Sequence, residues 1–132
     1  MSRQERWDYH LMPLSAGEVA DKGALACIDT STGEVVAGQA STTLLPIGWF
    51  DESVDNSAGM DTVDVNVKFF VELTVAFWAN SGGSAVASSD VGSSCYIEDD
   101  RTVSMSSSGN SVAGMVILVD TRKGVGVVMK GL

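Results

Sequence analysis

The chain has 132 residues, 45% of them hydrophobic, and carries 8 Lys+Arg against 17 Asp+Glu, a formal net charge of −9 at pH 7. An acidic chain with no basic stripe lacks the phosphate-pairing surface of a nucleic-acid binder, and its apolar content excludes an acidic disordered tail. The length suits one domain that buries a core without disulfides or a structural metal.

The opening MSRQERWDYHLMPL lacks the uninterrupted apolar run and small-residue cleavage site of a secretory signal. No stretch approaches the ~20 apolar residues of a spanning helix. The expectation is a chain with no membrane partner, made in the cytosol and kept there until something larger carries it out. Trp7, Tyr9, Leu11, Met12 and Leu14 cluster here without a repeating period, and Pro13 discourages a helix. Residues 1–14 are therefore expected to form an extended N-terminal arm that buries its aromatics against its own domain or a neighbour. Residues 15–132 read as a single β domain. Ser15-Ala-Gly-Glu18 resembles a helix cap, but one able to start at most a turn or two.

From Lys22 the pattern becomes β. The apolar run Gly23–Ile28, the turn residues Asp29-Thr-Ser-Thr-Gly33 and the return Glu34–Ala37 predict a hairpin. In Leu44-Leu-Pro-Ile-Gly48, Pro46 demotes any strand to an edge. Trp49 and Phe50 follow, then an acidic loop holding Asp51, Glu52 and Asp55.

The strongest periodicity lies at 62–78. Val63, Val65, Val67, Phe69, Val71, Leu73, Val75 and Phe77 take every odd position, with polar residues on most even ones. Alternation of this kind places the odd side chains on one face of a half-buried antiparallel ribbon. Sixteen residues at ~3.3 Å each exceed an ordinary strand, so a bend or break is expected near Lys68-Phe69-Phe70. Short strands follow at Ser94–Ile97 and Thr102–Met105, and Val112–Val119 with Val125–Met129 flank the turn Asp120-Thr-Arg-Lys-Gly124 as a second hairpin. The fold class expected is all-β, a small antiparallel β-barrel or β-tulip-like domain.

Catalytic constellations are sparse. His10 is the one histidine, so a Ser/His/Asp or Cys/His arrangement has little to stand on, and no catalytic residue is expected. Cys27 and Cys95 lack metal-ligand or CxxC spacing and read as buried reduced thiols. Glu98, Asp99 and Asp100 could converge with Asp90 on a hard cation, as could Asp51, Glu52 and Asp55, but solvated acidic turns are the commoner outcome. No metal and no cofactor is expected, and no phosphate-binding glycine motif occurs. Trp49, Phe50, Phe77 or Trp78 could serve a sugar-binding sandwich as stacking platforms. Phe70 and the doublet Phe77-Trp78 put bulky groups on both faces of the ribbon. On that basis Phe70 and Trp78 join Trp7, Tyr9, Leu11, Met12 and Leu14 as candidate subunit or partner contacts.

Glu18–Asp29, Val54–Gly59, Ala79-Asn-Ser, Asp90–Ser104 and Val112–Asp120, taken in this order and spacing, resemble the head decoration, or cement, proteins of tailed bacteriophages. The resemblance runs from about residue 16 to 129 and is most specific through Gly92–Ser104 and Ala113-Gly114. It implies a β-barrel or β-tulip subunit that forms homotrimers on the outside of an assembled capsid and binds the major capsid protein, without catalysis or cofactor. The place implied is the virion exterior, after synthesis in the bacterial host cytoplasm. The end of the chain departs from the pattern. Val125-Gly-Val-Val-Met129 stands where related chains tend to have an aromatic-bearing strand. Another virion β-domain, in tail or baseplate, is the alternative, followed by a sugar-binding module.

Overall fold

The computed structural model describes residues 8–129. Twelve strands and a single 3-10 turn at Ser88–Asp90 account for all regular structure among the described residues, so the all-β expectation is met. The Ser15–Glu18 segment is a turn rather than a helix start. Gly17 there takes φ +86°, outside the helical region, and the Glu18 N–H donates to the Ser15 carbonyl.

The strands close two five-stranded barrels. The first contains β1 (Tyr9–Leu14), β3 (Leu25–Asp29), β4 (Glu34–Ala37), β5 (Leu44–Phe50) and β7 (Val63–Phe69), in the spatial order β1-β4-β3-β5-β7. A separate two-stranded sheet pairs β2 (Val19–Ala20) with β6 (Val54–Asp55). The second barrel contains β8 (Thr74–Asn80), β9 (Ser94–Ile97), β10 (Thr102–Ser104), β11 (Val112–Asp120) and β12 (Gly124–Met129), in the order β10-β8-β12-β11-β9. Both predicted hairpins are present, as β3–β4 and β11–β12.

Two hydrophobic cores follow. Leu14, Ala26, Val35, Ile47, Phe50, Val65 and Val67 fill the first barrel. The larger core fills the second with Trp78, Cys95, Ile97, Val103, Val116, Val125, Val127 and Met129. It also takes in Leu25, Cys27, Val36 and Leu44 from the first barrel. Because side chains alternate along a strand, β3 and β4 send Ala26 and Val35 into their own barrel and Cys27 and Val36 onto the other. The barrels thus share one continuous apolar joint. Buried Ser111 ties it together, its hydroxyl accepting from the Leu44 N–H at 2.9 Å and donating to the Ser41 carbonyl at 2.6 Å.

Three sequence expectations change at this level. First, from Tyr9 the segment expected as an arm is a strand of the first barrel, paired antiparallel with β7 from Tyr9↔Lys68 to Leu14↔Val63. Leu14 enters the core, and the hydrogen bonds of a complete strand outweigh those a loose strap could make. Trp7 lies outside the described residues. Second, the ribbon breaks where expected, but the phase slips by one residue across it. Val65 and Val67 are buried in β7, whereas Ala76 and Trp78 are buried in β8, leaving Val71, Leu73, Val75 and Phe77 exposed. Third, Pro46 lies inside a strand with neighbours on both sides, yet the β5–β7 register covers only Gly48–Phe50. Opposite β3 the pairing jumps from Gly48 to Pro46 across a bulge at Ile47, so Pro46 is spared a donor role.

Candidate functional site

The phase slip builds the most distinctive surface of the molecule. Val71-Glu72-Leu73 turns the chain from one barrel into the other, with the Thr74 hydroxyl accepting from the Val71 N–H at 3.0 Å and donating to its carbonyl at 2.7 Å. Leu73 adopts φ +62°, the one non-glycine residue with positive φ among the described residues, and is 77% exposed. A leucine in the left-handed region is both sterically disfavoured and, here, left in water.

Beyond this turn the outer face of the β8–β12–β11 sheet is apolar along two cross-strand rows. One row runs Val75–Val128–Met115 and the next Phe77–Gly126–Leu118. Phe77 lies against the Cα side of Gly126, where a Cβ would sit 3.1 Å from its ring and 3.3 Å from the Leu118 Cβ. The Lys123 ammonium stands 5.5 Å over the Phe77 ring at the hairpin end. At the other end the rows open into a groove of about 970 Å³ lined by Leu45, Leu73, Val112, Met115 and Val128, among others. Val75, Phe77, Met115 and Leu118 are each two-fifths or more exposed on this face, an apolar patch of the kind that contact surfaces present.

The contact residues expected from sequence are distributed differently. Phe70 is 2% exposed and packs edge-on against Trp49 at 4.6 Å, and Trp78 is 4% exposed with its indole N–H directed at the Met129 sulfur at 3.5 Å. Leu14 is fully buried. These three serve the core and are withdrawn as contacts: the slip turned Phe70 and Trp78 inward, and the inward face of β1 carries Leu14 into the first barrel. Tyr9 and Leu11 remain exposed on the outer face of β1, and Met12 is half-buried. Of the aromatic stacking candidates, Phe50 and Trp78 are core and Trp49 is half-buried, which leaves Phe77. Of the surface residues that sequence reasoning missed, Leu73 and Val75 were hidden by the same slip, and Met115 and Leu118 join the face only through the pairing of β11 with β12.

The acidic groups do not converge. Among the described residues no three of His, Cys, Asp and Glu are grouped as a metal site. Asp90 caps the Ala87 N–H, Glu98 accepts from the Ser81 hydroxyl and Asp99 accepts from the Arg101 N–H. Asp51 accepts from the Asn66 amide, Glu52 from the Asn66 N–H and Asp55 from the Ser57 N–H. Asp21 pairs with Arg101 at 2.8 Å, and that guanidinium holds its carboxyl below the usual range. Asp100 shifts the other way, raised first by burial and then by repulsion from Asp99. His10 stacks on Phe69 with ring centroids 6.4 Å apart, and its Nδ1 lies 3.0 Å from the Leu11 carbonyl oxygen.

Both thiols are buried and unbridged. Burial pushes Cys27 up to about 12 and Cys95 up to about 11 from an ordinary value of 9.0. Folded protein therefore holds thiol protons that the unfolded chain releases. This contribution to stability is complete below pH 9 and is lost as pH rises through about 11 for Cys95 and about 12 for Cys27. The urea midpoint should accordingly fall between about pH 8 and about pH 10. A thiol-specific disulfide reagent should modify neither cysteine until the chain unfolds. Fast labelling of native protein would show that one of the thiols is accessible.

What the fold and this surface define is an all-β, two-barrel domain with an exposed apolar face. No known protein family, curated protein or solved structure matches the chain. Among the described residues no helix is long and apolar enough to cross a membrane.

Proposed function

We propose that the protein is a structural component of a tailed-bacteriophage virion, a decoration protein that binds the outside of the capsid as a homotrimer and stabilises the shell. The observation that carries this reading is the exposed apolar face of β8–β12–β11 on an acidic domain. A cement protein adds apolar area across capsomer boundaries, which opposes outward pressure from packaged DNA without any chemistry. Net acidity keeps the outward surface soluble and away from the genome. The ordered resemblance of Glu18–Asp29, Asp90–Ser104 and Val112–Asp120 to decoration proteins points the same way. The barrels supply rigidity, and no cofactor enters the reading.

The test is co-sedimentation with shells of the parent phage that lack the protein, followed by electron cryo-microscopy of the decorated particle. Binding should saturate at one trimer per equivalent surface position. It should also survive moderate salt, since apolar burial is less screened than exposed charge pairs. Failure to co-sediment at any concentration, or density for the chain in the tail instead, would remove the capsid assignment.

A further inference from the structure

The two barrels are the same barrel. In the first, β1 and β4 run parallel, and the pairs β3–β4, β3–β5, β5–β7 and β1–β7 are antiparallel. In the second, β8 and β10 run parallel, and β9–β10, β9–β11, β11–β12 and β8–β12 are antiparallel. The strands β1, β3, β4, β5 and β7 thus map in chain order onto β8 to β12, with every pairing and direction kept.

The correspondence extends to single residues. The β3–β5 ladder has its bulge at Ile47, and the β9–β11 ladder has the matching bulge at Ala113. The residue after each is a glycine, Gly48 or Gly114. An added Cβ there would overlap the carbonyl oxygen of Lys68 in one case and Val128 in the other, the matching positions of β7 and β12. Ahead of β3 and β9 the same turn recurs. Ala24 N–H donates to the Asp21 carbonyl and Ser93 N–H to that of Asp90. Gly23 and Phe50 repeat as Gly92 and Val116, each glycine N–H donating to the partner's carbonyl. Gly23 and Gly92 have φ +87° and +93°. Even the Ser15 N–H to the Val35 carbonyl has its counterpart in Ser81 and Val103. In sequence the trace is Asp-x-Gly-x4-Ile-Asp/Glu, at 21–29 and at 90–98.

We infer that the chain is two copies of one five-stranded barrel joined in tandem, and that the second copy's outer face has been converted into a docking site for another molecule of this chain. Register supplies an internal control. The rows Val75–Val128–Met115 and Phe77–Gly126–Leu118 stand where the first barrel has Tyr9–Lys68–Trp49 and Leu11–Asn66–Asp51. The barrel scaffold accepts Lys, Asn and Asp at the positions that the second copy fills with Val, Gly and Leu. Apolar residues there are not required by the fold.

Size and charge favour a second molecule as the occupant. Leu73, Val75, Phe77, Val112, Met115 and Leu118 leave on the order of 500 Å² of apolar side chain in water. That is most of the ~800 Å² each partner buries in a standard interface. The face is bounded by Arg122 and Lys123 at the hairpin end and by Glu72 at the other. A second copy can set its Glu72 end against this basic end, which offsets locally the repulsion between two acidic chains. The inference rests on the self-association in the proposed function and needs nothing of the shell.

The experiment compares the sedimentation of wild type, Leu73→Asn and the double variant Val128→Lys with Leu118→Asp across the micromolar range, with thermal unfolding measured on each. The double variant installs what the first barrel carries at the same places and should fold. Asn tolerates the left-handed turn better than Leu, so Leu73→Asn should be at least as stable as wild type. Wild type should associate, and both variants should do so at least about tenfold more weakly. A monomeric wild type, or folded variants that associate as wild type does, would overturn the inference. If the double variant does not fold, Leu73→Asn decides the matter. Association without shell binding would leave this inference standing and remove only the capsid assignment.

Discussion

Alanine at Gly48 should strongly destabilise the fold, and alanine at Gly114 should do the same. At both positions a single methyl would occupy the space of a backbone carbonyl oxygen on the adjoining strand, of Lys68 or of Val128. A flexible side chain could swing away from an added carbon, but a carbonyl inside a closed barrel moves only if its strand moves. Strand movement would break the β5–β7 or β11–β12 ladder and the core beneath it, where Val67 and Val127 are fully buried. Ordinary overpacking costs ~1–3 kcal/mol, and with no side-chain relaxation the expected loss is roughly 3 kcal/mol or more. From a typical total of about 5–15 kcal/mol, that removes a large share. Urea unfolding followed by tryptophan fluorescence measures it. A cost under ~1 kcal/mol at either glycine would mean that the strands are further apart than described. A large cost at one and none at the other would break the equivalence of the two barrels.

Trp78→Ala should destabilise the fold by ~3–5 kcal/mol, while Phe77→Ala should cost roughly 1–2 kcal/mol. The two residues are adjacent in β8 and point to opposite faces. Trp78 lies among Val103, Val125 and Met129 in the larger core, so its removal leaves a cavity that a closed barrel cannot collapse to fill. Phe77 is 40% exposed over Gly126, so its loss removes less buried area than that of Trp78 and leaves no enclosed cavity. Its effect should appear instead as weaker association between molecules. Thermal and urea unfolding of both variants, alongside sedimentation, distinguish the roles. The reverse ranking would mean that the odd phase of the 62–78 ribbon stays buried throughout and that the docking face is misplaced.

The sequence by itself determined the class of fold and most of its local elements. Turn chemistry at Asp29–Gly33 and Asp120–Gly124, flanked by apolar β-branched runs, was enough to specify two hairpins. Ser94–Ile97 was legible as a strand, and the excessive length of the 62–78 alternation announced a break. These features depend on neighbours a few residues apart, so the local pattern carries them.

Tertiary structure decided the rest. Alternation states that two faces differ but does not say which face is inward after a turn, and four residues between β7 and β8 reversed the assignment for Trp78 and Phe77. Tyr9–Leu14 became a strand because β7 lies beside it, a pairing between residues 49 to 59 positions apart that no local signal records. The tandem barrel left the short trace at 21–29 and 90–98, yet the equivalence of Lys68 with Val128 follows from register alone. The docking face was illegible for the same reason. It is assembled across three strands by hydrogen bonds between distant segments, and side chains share a face only once the barrel has closed.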